Sequence, residues 1–170
     1  ATFFVLGSRV GSYPSAVHSI VTSGSEIANH SWNHPDLSKL PSSSVSSQIK
    51  RTNDAVYGGC GETPKLVRPP YGAYNGTVKQ AAKDNDAAVI MWSIDPLDWK
   101  DRDATIVYNR IMASVKNGSI ILCHDIHPTT IEAMERVIPE LKRRGYQLVT
   151  VSELLSATGG SAVPGQVYNK

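Results

Sequence analysis

Cysteine, net charge and long apolar runs are all scarce in this chain, and each scarcity closes off a class of protein. Two cysteines occur in 170 residues, Cys60 in a Gly-Gly-Cys-Gly loop and Cys123 at the end of an apolar stretch. Two thiols cannot build a disulfide framework, and neither has the spacing of a metal site. They can bridge in an oxidising compartment, but two free thiols is the simpler reading. A net charge of +2 with 19% charged residues sets up no field toward nucleic acid or an anionic membrane. The longest apolar runs, such as Ile120 to Cys123, are far too short to cross a bilayer. No signal peptide, repeat, linker or second domain is evident. The chain opens on Ala1 to Leu6, which reads as a core strand, so upstream sequence is expected to be missing and the N-terminus says nothing of location.

What is present is an alternation of strand-like and helix-like segments, in a chain long enough for one full core. Strands are expected at Thr2 to Leu6, Glu26 to Asn29, Lys65 to Arg68, Ala87 to Trp92, Ser119 to Cys123 and Gln147 to Val151, from their β-branched and apolar runs. Helices are expected from Pro14 to Val21, Ser42 to Tyr57, an Asn75 cap to Asp84, Asp103 to Lys116, Pro128 to Arg144, and Ser152 to Leu155. Their apolar positions recur at helical spacing, and Val45, Ile49 and Val56 form one such stripe, as do Ile106, Val107, Ile111 and Val115. The Gly, Ser and Pro-rich segment from Ala157 to Lys170 reads as a flexible tail behind a domain of residues 1–156. Strands alternating with helices predict a parallel α/β sheet, and a barrel in which active sites lie at the strands' C-terminal ends. A complete barrel takes about 200–250 residues, so this chain is expected to be one βα unit short.

Polar clusters follow four of these strands. His30 and His34 are separated by one turn's worth of backbone, a spacing that can direct two imidazoles at one divalent ion; two polar loop histidines would look the same. Arg68-Pro69-Pro70-Tyr71-Gly72 is a stiffened turn that can aim the Tyr71 amide at a ligand, with Arg68 placed to pin a carboxylate; a structural turn with a surface salt bridge is the alternative. In Asp95-Pro96-Leu97-Asp98-Trp99, an acid at a strand exit can orient a histidine and a tryptophan can stack on a sugar, although Asp as a cap and Trp as core is the commoner arrangement. His124 closes the Ser119 to Cys123 run and suits a general acid or base, or a core histidine satisfied by a carbonyl. Asp125 is more suited to anchoring structure, and His127 to exposure.

Taken in order, the motifs His30-Ser31-Trp32-Asn33-His34, Arg68-Pro69-Pro70-Tyr71, Asp95-Pro96-Leu97-Asp98-Trp99 and Leu122-Cys123-His124 resemble those of the polysaccharide deacetylases of carbohydrate esterase family 4. The resemblance runs from Ala1 to about Leu155 and is nearest to bacterial peptidoglycan N-acetylglucosamine deacetylases. It implies a distorted (β/α) barrel missing its first strand and helix in this chain. It also implies hydrolysis of an N-acetyl amide by a metal-dependent site, most often with zinc, or another divalent ion such as cobalt. By the resemblance, His30 and His34 are metal ligands, His124 protonates the departing amine, and Asp95 orients its ring. Arg68 holds the catalytic base ionised, the Tyr71 amide steadies the oxyanion, and Trp99 and Leu122 wall an acetyl pocket. Asp98 receives no role.

One departure matters. The family's Thr-Phe-Asp-Asp-Gly motif, which supplies the base and a third metal ligand, has no counterpart here, and no two aspartates are adjacent anywhere in the sequence. The chain is therefore expected to be a fragment, or to act with its N-terminal segment as a separate chain. The resemblance implies a glycan substrate and an extracytoplasmic location. Chitin oligomers, acetylated xylan and a non-catalytic glycan-binding role remain alternatives at this point.

Overall fold

The computed structural model describes residues 1–169 and shows an α/β chain divided into two compact units. The first joins Ala1–Met91 to Thr150–Tyr168, and the second is built on Trp92–Val149.

The first unit holds a sheet of five parallel strands in the order β1 (Thr2–Val5), β2 (Glu26–Asn29), β3 (Leu66–Val67), β4 (Ala88–Ile90) and β5 (Val167–Tyr168). The register pairs Phe3 with Ile27, Asn29 with Val67, Val67 with Val89, and Ile90 with Tyr168. Parallel pairing requires crossovers, which are supplied by α1 (Gly7–Val10), α2 (Pro14–Thr22), α3 (Ser42–Cys60) and α4 (Gly76–Asp84). The α3 stripe of Val45, Ile49 and Val56 is fully buried, each side chain contributing about 1.5–3 kcal/mol relative to exposure. Asn75 caps α4 as expected, its side chain accepting from the Val78 amide at 3.1 Å; such a cap stabilises by about 1 kcal/mol. Gly7 lets α1 approach α3, because a Cβ there would lie 2.5 Å from Thr52 Oγ1 and 2.8 Å from Thr52 Cα.

The second unit contains α5 (Asp98–Asp101), α6 (Ala104–Ser114) and α7 (Pro128–Arg143). Ala104, Val107 and Ile111 of α6 pack with Ala133, Val137 and Leu141 of α7. Ile106, expected on the inward face, is 40% exposed; the buried stripe runs through Ala104 instead. Asp103 caps α6 through the amides of Thr105 and Ile106.

Three expectations about the strands are corrected. The apolar run at 119–123 forms no named strand among the described residues and pairs with the Ser93–Ile94 segment around a parallel bridge between Ile94 and Ile121. Gln147 to Val151 is not a strand, because Thr150 and Glu153 form a reciprocal capping box that starts α8 (Val151–Ala157). The Glu153 carboxyl is held below its usual range, mainly by the hydrogen bond from the Thr150 amide. The segment read as a flexible tail supplies β5, with Val89 N–H donating to Gln166 O at 2.8 Å and Met91 N–H to Tyr168 O at 2.7 Å. Tyr168 also ties the approach to this strand, donating to Ser161 O and accepting from Val163 N.

Candidate functional site

In the first unit, β2 and β3 end side by side, so the residues that follow them are neighbours. The β2 ladder continues one residue further, with His30 N–H on Val5 O at 2.9 Å. The His30 ring then donates from Nδ1 to the Arg68 carbonyl at 2.6 Å. A carbonyl can only accept, so in the neutral ring Nδ1 carries the proton and Nε2 the lone pair. This arrangement, a backbone carbonyl fixing the far nitrogen, is typical of histidines that ligate metals. The His34 ring stands edge-on to it with centroids 4.9 Å apart, and the Tyr71 ring lies 4.7 Å beyond His34. The structure therefore brings His30, His34, Arg68 and Tyr71 together.

The loop bearing the histidines is held in an unusual shape. Ser31 and His34 both take left-handed backbone angles, with φ of 69° and 66°, and Tyr71 does so at 61°. Non-glycine residues in this region cost about 1–3 kcal/mol each and persist only where their surroundings impose them. The imposing groups are visible. Asn29, fully buried, accepts from Ser31 N–H at 2.8 Å and donates to Ile49 O and to Asn53 Oδ1. Ser31 Oγ accepts from His34 N–H at 3.0 Å. Gln48 of α3 accepts from the amides of Trp32 and Asn33 and donates to Asn33 Oδ1. Asn29, Gln48 and Asn53 were not singled out from the sequence. Polar residues within or beside apolar strand and helix stretches were the available signal, but apart from the Asn29–Ser31 contact their partners lie 15 or more positions away in sequence.

Arg68 is 7% exposed. Its guanidinium lies 4.1 Å from the centroid of the Phe4 ring and reaches the carbonyls of Ile90 and Met91. The Tyr71 side chain is 71% exposed, and the turn around it closes through Gly72 and Ala73, whose amides bond Pro69 O and Pro70 O.

The second unit carries a different cluster. Asp98 opens α5 and is fully buried, yet its carboxylate is hydrogen-bonded on both oxygens. Oδ1 accepts from His124 Nδ1 at 2.7 Å and from the Trp99 amide at 2.9 Å. Oδ2 accepts from the His124 amide at 2.6 Å and from Thr130 Oγ1 at 2.9 Å. Burial pushes the Asp98 carboxyl up, but the donors from His124 and Thr130 outweigh it and hold the group below its ordinary value. With Nδ1 engaged, Nε2 is the atom of His124 suited to exchange a proton.

This geometry corrects the assignment of the orienting acid. Asp98, not Asp95, holds the His124 ring; Asp95 instead accepts from the Leu97 amide at 2.9 Å. The reason is the left-handed turn at Leu97, φ 57°, which lets Asp95 cap the loop and sends Asp98 inward. Trp99 is 48% exposed and Leu122 buried, the latter's amide bonding Ile94 O. Arg110 of α6 braces the loop from outside, reaching Pro96 O at 2.9 Å and pairing with Asp101. Cys60 and Cys123 are not joined in a disulfide.

The donor set suits part of a metal centre. Two imidazoles, one with its tautomer fixed, match two ligands of a four-coordinate divalent ion. Among the described residues, no three His, Cys, Asp or Glu side chains group to hold one.

A parallel α/β fold with imidazoles at strand ends, and a buried Asp–His pair, carry groups suited to hydrolytic chemistry. Comparison with known proteins is more specific. The sequence profile described as polysaccharide deacetylase matches residues 1–90, and the chain belongs to this family, the polysaccharide deacetylases of carbohydrate esterase family 4. It is 43% identical over 154 residues to the peptidoglycan-N-acetylglucosamine deacetylase PgdA of Listeria monocytogenes, covering 91% of this chain and 32% of that protein. It is 44% identical, with the same coverage, to the peptidoglycan-N-acetylmuramic acid deacetylase PdaC of Bacillus subtilis. The PdaC structure superimposes with a TM-score of 0.89 at 42% identity, over 94% of this chain and 77% of that one. A family 4 acetyl xylan esterase from Clostridium thermocellum, in complex with a cobalt ion, gives a TM-score of 0.93 at 32% identity, over 100% and 84% of the two chains. The chain thus spans about a third of the length of the curated relatives PgdA and PdaC.

Proposed function

We propose that this chain carries the larger part of a metal-dependent deacetylase that removes N-acetyl groups from N-acetylglucosamine residues of peptidoglycan and releases acetate. The observation that carries this reading is the Asp98–His124 pair, which holds an imidazole by Nδ1 and so fixes its orientation for acid–base work. His30 and His34 would hold zinc or cobalt, and a bound divalent ion would supply Lewis-acid polarisation and a water of lowered pKa. The remaining roles, apart from that of the base, fall to this chain's own residues. The Tyr71 amide donates to the oxygen of the acetyl carbonyl as charge builds there, a stabilisation of roughly 3–4 kcal/mol in comparable sites. Arg68 keeps ionised a carboxylate base of the kind the family's Asp-Asp motif supplies and this chain lacks, and that base takes a proton from water as the new C–O bond to the acetyl carbon forms. Trp99 and Leu122 wall the acetyl methyl. As the C–N bond breaks, His124 gives its Nε2 proton to the leaving amine, and Asp98 balances the imidazolium charge before transfer.

N-Acetylglucosamine and N-acetylmuramic acid are named for relatives of nearly equal identity, so the sugar is the finer part of this proposal. An extracytoplasmic location follows from the same relatives' peptidoglycan substrates. A second reading, a glycan-binding chain without turnover, is supported by the half-exposed Trp99, a face on which a sugar can stack.

Acetate release from N-acetylglucosamine oligomers, N-acetylmuramic acid-containing glycan and acetylxylan, with zinc present, separates these readings. The assay compares the chain with a version extended at its N-terminus. Release from the N-acetylglucosamine substrate is expected in the extended version. Release only from acetylxylan or from N-acetylmuramic acid would overturn the substrate, and binding without release would favour the second reading.

A further inference from the structure

The deacetylase reading uses Asp98 and His124 and leaves Thr130 without a role. Thr130 sits in the first turn of α7, its amide on the His127 carbonyl at 2.9 Å. A helical threonine commonly turns its hydroxyl back onto a carbonyl of the preceding turn. Thr130 instead directs its single O–H proton to Asp98 Oδ2 at 2.9 Å, across 32 positions of sequence. The pair is sealed from solvent, with Thr130 1% and Asp98 0% exposed.

Three of the four hydrogen bonds to Asp98 come from its own neighbour Trp99 and from the loop residue His124. The fourth comes from a 16-residue helix that is packed on α6 through Ala133, Val137 and Leu141. Rotation of a carboxylate about its last torsion is soft, so a donor on a rigid helix decides where Oδ1 points. We infer that Thr130 is a positioning residue: its hydroxyl locks the Asp98 carboxylate so that Oδ1 meets His124 Nδ1, and it moderates the pull of that carboxylate on the imidazole.

The role of Thr130 rests on the deacetylase reading for its effect on turnover and is independent of it for its effect on the ring. Other ionisable groups on these segments include Asp95, which caps Leu97, Asp101, which pairs with Arg110, and Lys100, Arg102, Glu132, Glu135 and Arg136. Asp125 follows His124 in sequence, and the His127 ring lies 6.5 Å from that of His124. None of them is altered by substitution at Thr130, which makes a titration comparison clean.

The test is a nitrogen NMR titration of the His124 ring in the parent chain, Thr130→Val and Thr130→Ser. Valine keeps the shape and loses the hydroxyl; serine keeps the hydroxyl and loses a methyl. Removing the donor concentrates charge on Asp98, so Thr130→Val is expected to raise the apparent pKa of His124 by roughly half a unit or more, with Thr130→Ser close to the parent. In the extended, active version, Thr130→Val is expected to lower kcat roughly tenfold with KM unchanged and Thr130→Ser to restore it. A His124 titration unmoved by Thr130→Val, or moved equally by Thr130→Ser, overturns the proposal and leaves Thr130 a packing residue. If Thr130→Val does not fold, Thr130→Ala against Thr130→Ser asks the same question, and equal titrations in those two overturn it. Absence of acetate release from the extended version would count against the deacetylase reading, while the titration would still decide the role of Thr130.

Discussion

Asp98 grips His124 twice, by the ring at 2.7 Å and by the backbone amide at 2.6 Å. The double attachment fixes both where the imidazole sits and which of its nitrogens carries the exchangeable proton. A single side chain thus sets position and tautomer together.

Replacing Asp98 is therefore expected to be far more damaging than replacing Asp95. In the extended, active version, Asp98→Asn should lower kcat by about 10²-fold or more, the scale of a misaligned general acid. Asp95→Asn keeps an oxygen that can accept from the Leu97 amide and should cost less than tenfold. Steady-state kinetics of the two variants decide the point, and equal losses would return the orienting role to Asp95.

The imidazole pair makes its own prediction about metal. His30→Ala and His34→Ala should each abolish stoichiometric zinc binding in the extended version, while His124→Ala should keep zinc and lose most turnover. Metal content after dialysis, read beside acetate release, measures both. Stoichiometric zinc retained in either of the first two variants would dismantle the proposed centre.

Acid should weaken the second unit through Asp98. Its carboxyl titrates lower in the folded chain than its ordinary value of 3.8, so the unfolded chain takes up the proton first as pH falls. The resulting stabilisation is fully present above about pH 4–5 and drains away below that, as pH passes down through the folded value. Thermal melts of the parent and Asp98→Asn are expected to differ most near neutrality and to converge in acid. Parallel profiles would mean that Asp98 contributes nothing to the acid limb.

Deleting residues 161–170 removes β5 and leaves the edge of β4 unpaired. The ladder bonds at Val89 and Met91 would go with it, together with the packing of Val167 on the core. A loss of about 1–3 kcal/mol is expected, a fall in Tm of several degrees. An unchanged melting temperature would show that this strand is an ornament on the sheet.

Much of the fold was legible in the sequence because it rests on local rules. The helical spacing of Val45, Ile49 and Val56, the Asn75 cap, and the strand at Glu26 to Asn29 ending on His30 all reappear in place. The motifs themselves were legible too, since residue type and spacing carry them, and they pointed to the family to which the chain belongs. What the sequence could not decide were relationships between distant residues. Asp95 and Asp98 are the same residue type three positions apart, and the left-handed turn at Leu97 selects which one faces His124. Val167 and Tyr168 have little strand signal in a Gly and Pro-rich segment, and they pair because the edge of β4 is there to receive them. The apolar run at 119–123 has ample strand propensity but meets a partner only around Ile94. Thr130 and Gln48 are ordinary polar letters in helical stretches until the fold sets a buried carboxylate against one and a strained loop against the other. Periodicity, caps and motif spacing act within a few residues, whereas hydrogen bonds to buried groups are satisfied by whatever the tertiary structure brings near, and that is where the orientation of His124 was decided.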